Sequence, residues 1–161
     1  MEEHPTGEYI VVYEFLIKAI DRHFEETSLI LDQLIDKVIL REPVKTGRPL
    51  GEIVLHIIRS IEYYSKGLAK NIWEPLNYTL DKYPNIKSIL ALYKEVVTRT
   101  KSYLEEIIPE SLNDVYTEGN RMATHAELLL ELLEHSIQHR GQLLVYYRLL
   151  GLVPKKIPYI I

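Results

Sequence analysis

The chain contains no cysteine. That excludes disulfides, thiolate zinc sites, iron–sulfur clusters and a cysteine nucleophile. Any metal ion must be held by His, Asp or Glu. No uninterrupted apolar run approaches the ~18 residues needed to cross a bilayer, and the opening Met1-Glu2-Glu3-His4-Pro5 is acidic where a signal peptide would be basic. These features point to a soluble, cytoplasmic protein with no membrane partner. An excess of positive charge is also missing: 19 Lys and Arg stand against 23 Asp and Glu, for a net charge of -4. Nucleic-acid binders carry a basic patch or stripe, whereas the basic residues here are interspersed with acids. The pair Lys155–Lys156 is too short to serve as a groove-binding arm, so no nucleic-acid partner is expected.

Glycine (7) and proline (8) are sparse and clustered among the 161 residues. The composition, 47% hydrophobic and 26% charged, is that of an ordinary globular protein. It rules out a disordered tail, a collagen-like fibre and a bare linker. A chain of this length buries roughly 70% of its unfolded surface and needs no covalent staples. One domain, residues 1–161, is expected. The breakers fall at Pro43, Gly47 and Pro49; at Pro75 and Pro84; at Pro109 and Gly119; and at Gly151, Pro154 and Pro158.

Between them lie four segments with helical spacing of apolar residues. They run from about Tyr9 to Leu40 with a possible bend near His23, from Leu50 to Lys70, from Asn85 to Ile108, and from Ala123 to Leu150. Strand-like alternation is confined to scraps such as Tyr9–Tyr13 and Ile157–Ile161. The economical architecture is all-α, a four-helix bundle with long connections that cross its ends or carry a short helix. Trp73 and Tyr78 are expected to cap one end, and Gly119-Asn120-Arg121 reads as a turn.

The fourth segment carries the chemistry. With His135 at zero on a wheel of ~100° per residue, the apolar stripe of Leu128, Leu132, Leu143, Tyr146 and Leu150 centres at roughly +50°. His135 and His139 lie within that stripe, at roughly 0° and +40°. Two imidazoles one turn apart can share one metal ion. The alternative is a pair of core histidines, each satisfied by a carbonyl or a carboxylate. Burying an unpartnered polar group costs ~1–3 kcal/mol, so the pair requires one explanation or the other.

A third ligand would come from His4, His23, His56 or His125. His125 lies about 15 Å along the axis from His135, too far to share an ion, and His4 precedes the first helix. His56 sits roughly 110° from the apolar centre of its own helix, with Glu52 and Tyr63 on its side. Periodicity alone makes it a flank residue, a surface histidine rather than a ligand. Several other sites are absent. His135 and His139 enclose no glutamate, so the zinc-protease His-Glu-x-x-His is missing; no histidine follows a glutamate by three positions, which excludes the di-iron pair. Neither a Gly-x-Ser-x-Gly elbow nor a phosphate loop occurs.

The stretch Glu134-His135-Ser136-Ile137-Gln138-His139-Arg140-Gly141-Gln142, running into Tyr147-Arg148-Leu149-Leu150-Gly151 and Pro154, resembles the last-helix signature of the DinB/YfiT-like superfamily. Pro49-Leu50-Gly51-Glu52-Ile53-Val54-Leu55-His56 resembles its second-helix pattern, and the likeness spans roughly residues 20 to 155. The resemblance implies a four-helix bundle holding a divalent metal, often nickel or zinc, on three histidines. Matched by motif position, these are His56, His135 and His139. Relatives of this kind include metal-dependent hydrolases and enzymes that use an external low-molecular-weight thiol, such as bacillithiol S-transferases and the mycothiol-dependent maleylpyruvate isomerase, and many form homodimers.

Groups beyond the ligands orient imidazoles in such sites. Glu52, Glu131 and Gln142 are the candidates here, each one helical turn from a proposed ligand. Arg140, on the side of its helix, is expected to form an interhelical ion pair. Gly141, costly in a helix, is expected to admit a neighbouring helix closely. Two functions fit these features. One is a metal-dependent hydrolase or thiol transferase acting on a small molecule. The other is a non-catalytic bundle, metal-binding or dimerising, with a structural or stress-response role and a tyrosine-rich surface as its interface.

Overall fold

A computed structural model describes residues 6–159. Its core is built around the segment with the strongest one-sided apolar pattern. Leu50–Lys70 forms a helix whose Leu50, Ile53, Val54, Leu55, Ile57, Ile58 and Ile61 are all buried. In chain order the elements are α1 (Thr6–Leu31), α2 (Asp36–Ile39), α3 (Leu50–Lys70), α4 (Ile86–Glu105), a 3₁₀ turn (Pro109–Asn113), β1 (Val115–Glu118), β2 (Arg121–Thr124) and α5 (His125–Leu149). The described residues are all-α apart from that small hairpin. α3 packs against both α4 and α5, and α1 completes the bundle against α5 and the 3₁₀ turn.

The helix ends follow from local chemistry. Asn85 and Ser88 form a capping box at the start of α4, and Thr124 and Glu127 form another at the start of α5. In each, a side-chain oxygen accepts an otherwise unpaired backbone N–H, and the reciprocal bond closes the box. α3 ends at Asn71, whose φ of 53° places it in the left-handed region while its N–H bonds back to Gly67 O. Asparagine tolerates that conformation better than most residues.

Three expectations are corrected. The first segment is not one helix to Leu40, nor does it bend near His23. α1 runs through His23 to Leu31, and the chain then turns into the short α2. Leu31, Leu34, Val38 and Ile39 are all buried, so helical spacing persists across the break and disguises it. Second, residues 115–124 contain a hairpin with Val115 opposite Thr124, Tyr116 opposite Ala123, and Glu118 opposite Arg121. Its two-residue turn starts at Gly119, with φ of 58°, as the twist-matched hairpin turn with glycine first demands. Tyr9–Tyr13, by contrast, is helical; 152–159 is irregular, and residues 160 and 161 lie outside the described ones, as does His4.

Third, Trp73 and Tyr78 do not cap an end. The segment after α3 runs back along that helix as a strap. Trp73 packs over Gly67, where an added Cβ would lie 2.4 Å from the indole. Arg59 Nη1 donates to Tyr78 O, and Leu80 N donates to Glu52 Oε1 at 2.9 Å. The Tyr78 hydroxyl donates to Glu62 Oε2 at 2.5 Å, and Arg99 of α4 donates to both Glu62 oxygens at 2.7 and 3.0 Å. Glu62 is buried, and its carboxyl is held below the ordinary range by these hydrogen bonds against the opposing effect of burial.

Candidate metal centre

His56 projects from α3, and His135 and His139 project from the facing α5. The axial register of the two helices brings His56 Nε2 to 3.2 Å from His135 Nε2. The three ring centroids form a nearly equilateral triangle with sides of 4.9, 4.7 and 4.6 Å, and the planes are inclined by 67°, 84° and 70°. The rings therefore meet at their edges rather than stacking. One nitrogen from each lies within 4.8 Å of the others.

All three side chains are half-buried, which modifies the wheel reading of α5. The inward rows of that helix are Leu128, Leu132, Ser136, Arg140, Leu143 and Tyr147, and the His135/His139 pair stands on their flank. His56 also sits on a flank, as its own periodicity predicts. The triad thus closes where two flanks meet, at the edge of an open cleft of about 460 Å³ lined by His56, Arg59, Ser60, Pro75, Leu76 and His135. Tyr63 and Tyr64 complete its wall.

The electrostatics favour the neutral form of His56 and His135. Burial, then repulsion from the other two imidazoles and from Arg48 and Arg59, lowers His56 to about 4. Burial, followed by His139 and Arg48, lowers His135 as well. Neutral imidazoles present lone pairs, which is the form that binds metal. The spacing also suits an ion. Two nitrogens each about 2.0–2.1 Å from a tetrahedral zinc lie about 3.3 Å apart, close to the His56–His135 separation. Three imidazole nitrogen donors with no sulfur or carboxylate suit a divalent transition-metal ion, and leave at least one coordination position open.

A family model for the DinB superfamily matches residues 19–143. The chain belongs to the DinB superfamily. A Bacillus subtilis relative named "Uncharacterized protein YjoA" is 26% identical over 136 residues, covering 80% of this chain and 87% of its own. Two solved structures share the fold. A DinB-like protein from Bacillus cereus superposes with a TM-score of 0.74 at 22% identity, over 90% of this chain and 97% of that one. The DinB-like YjoA of Bacillus subtilis gives 0.71 at 22% identity, over 89% and 95%.

Within this DinB-superfamily chain, only one of the three expected orienting residues touches an imidazole. His139 Nδ1 donates to Gln142 Oε1 at 3.0 Å, which leaves Nε2 with the free lone pair. Glu52 is instead occupied by Leu80 N and by Arg59 Nη1, at 2.9 and 3.5 Å, and so anchors the strap. Glu131 accepts from the Tyr64 hydroxyl at 3.2 Å and pairs with Arg121 of the hairpin. His135 Nδ1 is buried with no partner among the described residues.

Arg140 and Gly141 sit differently from expectation. Arg140 does form an interhelical ion pair, to Glu26 at 2.8 Å, but it lies in the core rather than on the helix side. Its Nη1 donates to His23 Nδ1 at 2.8 Å, which accounts for His23 as a satisfied core histidine outside the triad. Gly141 admits no neighbour: it is exposed, and an added Cβ would meet nothing within 4 Å. The cleft wall of Tyr63, Tyr64, Pro75 and Leu76 was not assigned to the site from the sequence. Its one available signal was the placement of Tyr63 on the His56 side of the wheel.

Proposed function

We propose that the chain is a metal-dependent enzyme that acts on a small molecule, by hydrolysis or by transfer of an external low-molecular-weight thiol. The observation that carries this reading is the convergence of three imidazoles at the edge of an open cleft. His56, His135 and His139 would hold a zinc or nickel ion. When bound, such an ion supplies Lewis acidity, which polarises a carbonyl or favours the deprotonated form of water or a thiol.

The chain's own residues have distinct tasks in this reading. Gln142 fixes the tautomer and tilt of His139. Pro75 and Leu76 form an apolar wall that removes water from one side of the site, and the strap's anchors on Glu52, Arg59 and Glu62 hold that wall in place. A thiol, if used, must come from a cosubstrate, because the chain has none. Among the described residues no helix is long and apolar enough to cross a membrane, which accords with a cytoplasmic small-molecule enzyme.

Metal analysis of protein purified without a histidine tag tests the reading. After incubation with nickel or zinc and desalting, wild type should retain about one equivalent, and His56→Ala and His139→Ala well under that. A wild-type protein that retains well under one equivalent of either metal overturns it. Chelation then separates enzyme from scaffold: loss of turnover on an esterase or thiol-transferase panel supports catalysis. A large drop in Tm with no turnover on any substrate supports the non-catalytic reading.

That second reading, a dimerising bundle, is favoured by one observation. Val11 and Phe15 on α1 are 68% and 70% exposed, beside a groove they share with Leu130 of α5. Sedimentation of wild type against Phe15→Glu tests it; an unchanged monomer in both removes the homodimer.

A further inference from the structure

A second, smaller concavity adjoins the cleft and has no part in the metal reading. Its walls are aromatic. Tyr63 and Tyr64 come from the C-terminal half of α3, Trp73 from the strap, and Tyr116 from β1. The rings stand at steep angles: Tyr63 meets Tyr64 at 84° with centroids 5.9 Å apart, and meets Trp73 at 66° and 5.4 Å. Trp73 and Tyr116 face each other at 31° and 4.2 Å, backing one wall.

The hairpin explains how the space is floored and why one rim is negative. Successive side chains of a strand alternate between faces, so Tyr116 and Glu118 share a face, together with their cross-strand partners Ala123 and Arg121. Ala123 opposite Tyr116 is small, and with the buried Leu128 it floors the space beneath the rings. The Arg121 guanidinium on the rim is already paired with Glu131. Glu118 has no such partner among the described residues, and its carboxylate, after burial, raises the phenols of Tyr63 and Tyr116, while at Tyr64 the lowering by Arg121 outranks it. The enclosed volume is about 50 Å³, several times the ~10–15 Å³ that one water requires. That is too small for a whole substrate, so a head group would sit partly enclosed at the open mouth.

Aromatic faces carry negative quadrupoles, and several of them around a carboxylate attract a cation too diffuse to demand full hydration. We propose that Tyr63, Tyr64, Trp73 and Tyr116, with Glu118 at the rim, form a cage for a methylated ammonium group. Tyr63 and Tyr64 also wall the triad cleft, so a ligand lying along both would carry its ammonium end in the cage and its other end toward the imidazoles. The cage itself requires no metal.

Trp73 is the sole tryptophan of the chain, so its emission reports on the cage directly. The experiment titrates EDTA-treated full-length protein with choline at constant ionic strength, and in parallel with its neutral isostere 3,3-dimethylbutan-1-ol. Choline should change Trp73 emission saturably, with the isostere about fivefold weaker or worse. Tyr116→Leu, which keeps an apolar side chain but removes the ring, should weaken choline by a similar factor. Glu118→Gln, an exposed substitution with no fold to disturb, should weaken it about twofold to fivefold. A response that does not saturate by tens of millimolar overturns the proposal, as do equal responses to choline and the isostere. Because chelator is present throughout, failure here is distinguishable from failure of the metal-binding test.

Discussion

His23 offers a measurable test of the core electrostatics. It is buried on α1, and its Nδ1 accepts from Arg140 Nη1 at 2.8 Å. An accepting Nδ1 requires a neutral ring. Protonation would place a charge in the core with its new N–H against a guanidinium. Burial first, and Arg140 second, lower the imidazole to about 3, against ~6.5 in an unfolded chain. Below pH 6.5 the unfolded state therefore binds a proton that the folded state refuses until about pH 3, so stability rises with pH across that window and is lost on acidification. At pH 4.5 the gap from the unfolded value is about two pH units, and at ~1.4 kcal/mol per unit the loss is about 3 kcal/mol.

The perturbation is His23→Asn, which keeps an acceptor for Arg140 but does not titrate. Urea unfolding of both proteins at pH 7.5 and 4.5, with EDTA present, provides the comparison. At pH 7.5 the variant should be less stable, by the packing loss of a partly emptied ring site. At pH 4.5 the wild-type advantage should shrink by about 3 kcal/mol, because every other titrating group is common to both chains. Parallel pH profiles, with the difference unchanged, would show that His23 does not resist protonation in the fold and refute the reasoning.

Three further outcomes follow from single contacts. Gly141→Ala should stabilise the protein by up to ~1 kcal/mol in urea unfolding, because the exposed helical position has open space for a methyl group. Gly67→Ala should destabilise it by about 1–3 kcal/mol or more and shift Trp73 emission, since the new Cβ would collide with the indole ring. Gln142→Ala should weaken zinc or nickel affinity by about 10–100-fold in a competitive chelator titration while leaving urea unfolding of the metal-free protein nearly unchanged.

Much of the fold was legible because helices announce themselves locally. α3 runs from Leu50 to Lys70, as its apolar spacing and the flanking Pro49 indicate, and α5 (His125–Leu149) falls where the spacing sets a helix from about Ala123 to Leu150. The hairpin was not legible: two four-residue strands, mostly exposed, give no alternation to detect. The break after Leu31 escaped because Leu34 and Val38 continue the helical spacing through a turn. For the site, periodicity put His135 and His139 on one side of α5 but set them too near the middle of the buried face. It put His56 on a flank, where the structure has it, and gave no reason of its own to join it to the other two. A wheel shows which way the core lies; it cannot show where two flanks open a cleft, nor the axial register that sets His56 level with His135. Only the resemblance to a known family joined the three.

The flank position of the triad has a consequence for heredity. The inward rows of α3 and α5 are filled by other side chains, so exchanging an imidazole for another donor, or for none, leaves those rows intact. Descendants of one ancestral scaffold can thus trade their chemistry by single substitutions while inheriting an intact framework, and kinship in shape need not carry kinship in activity.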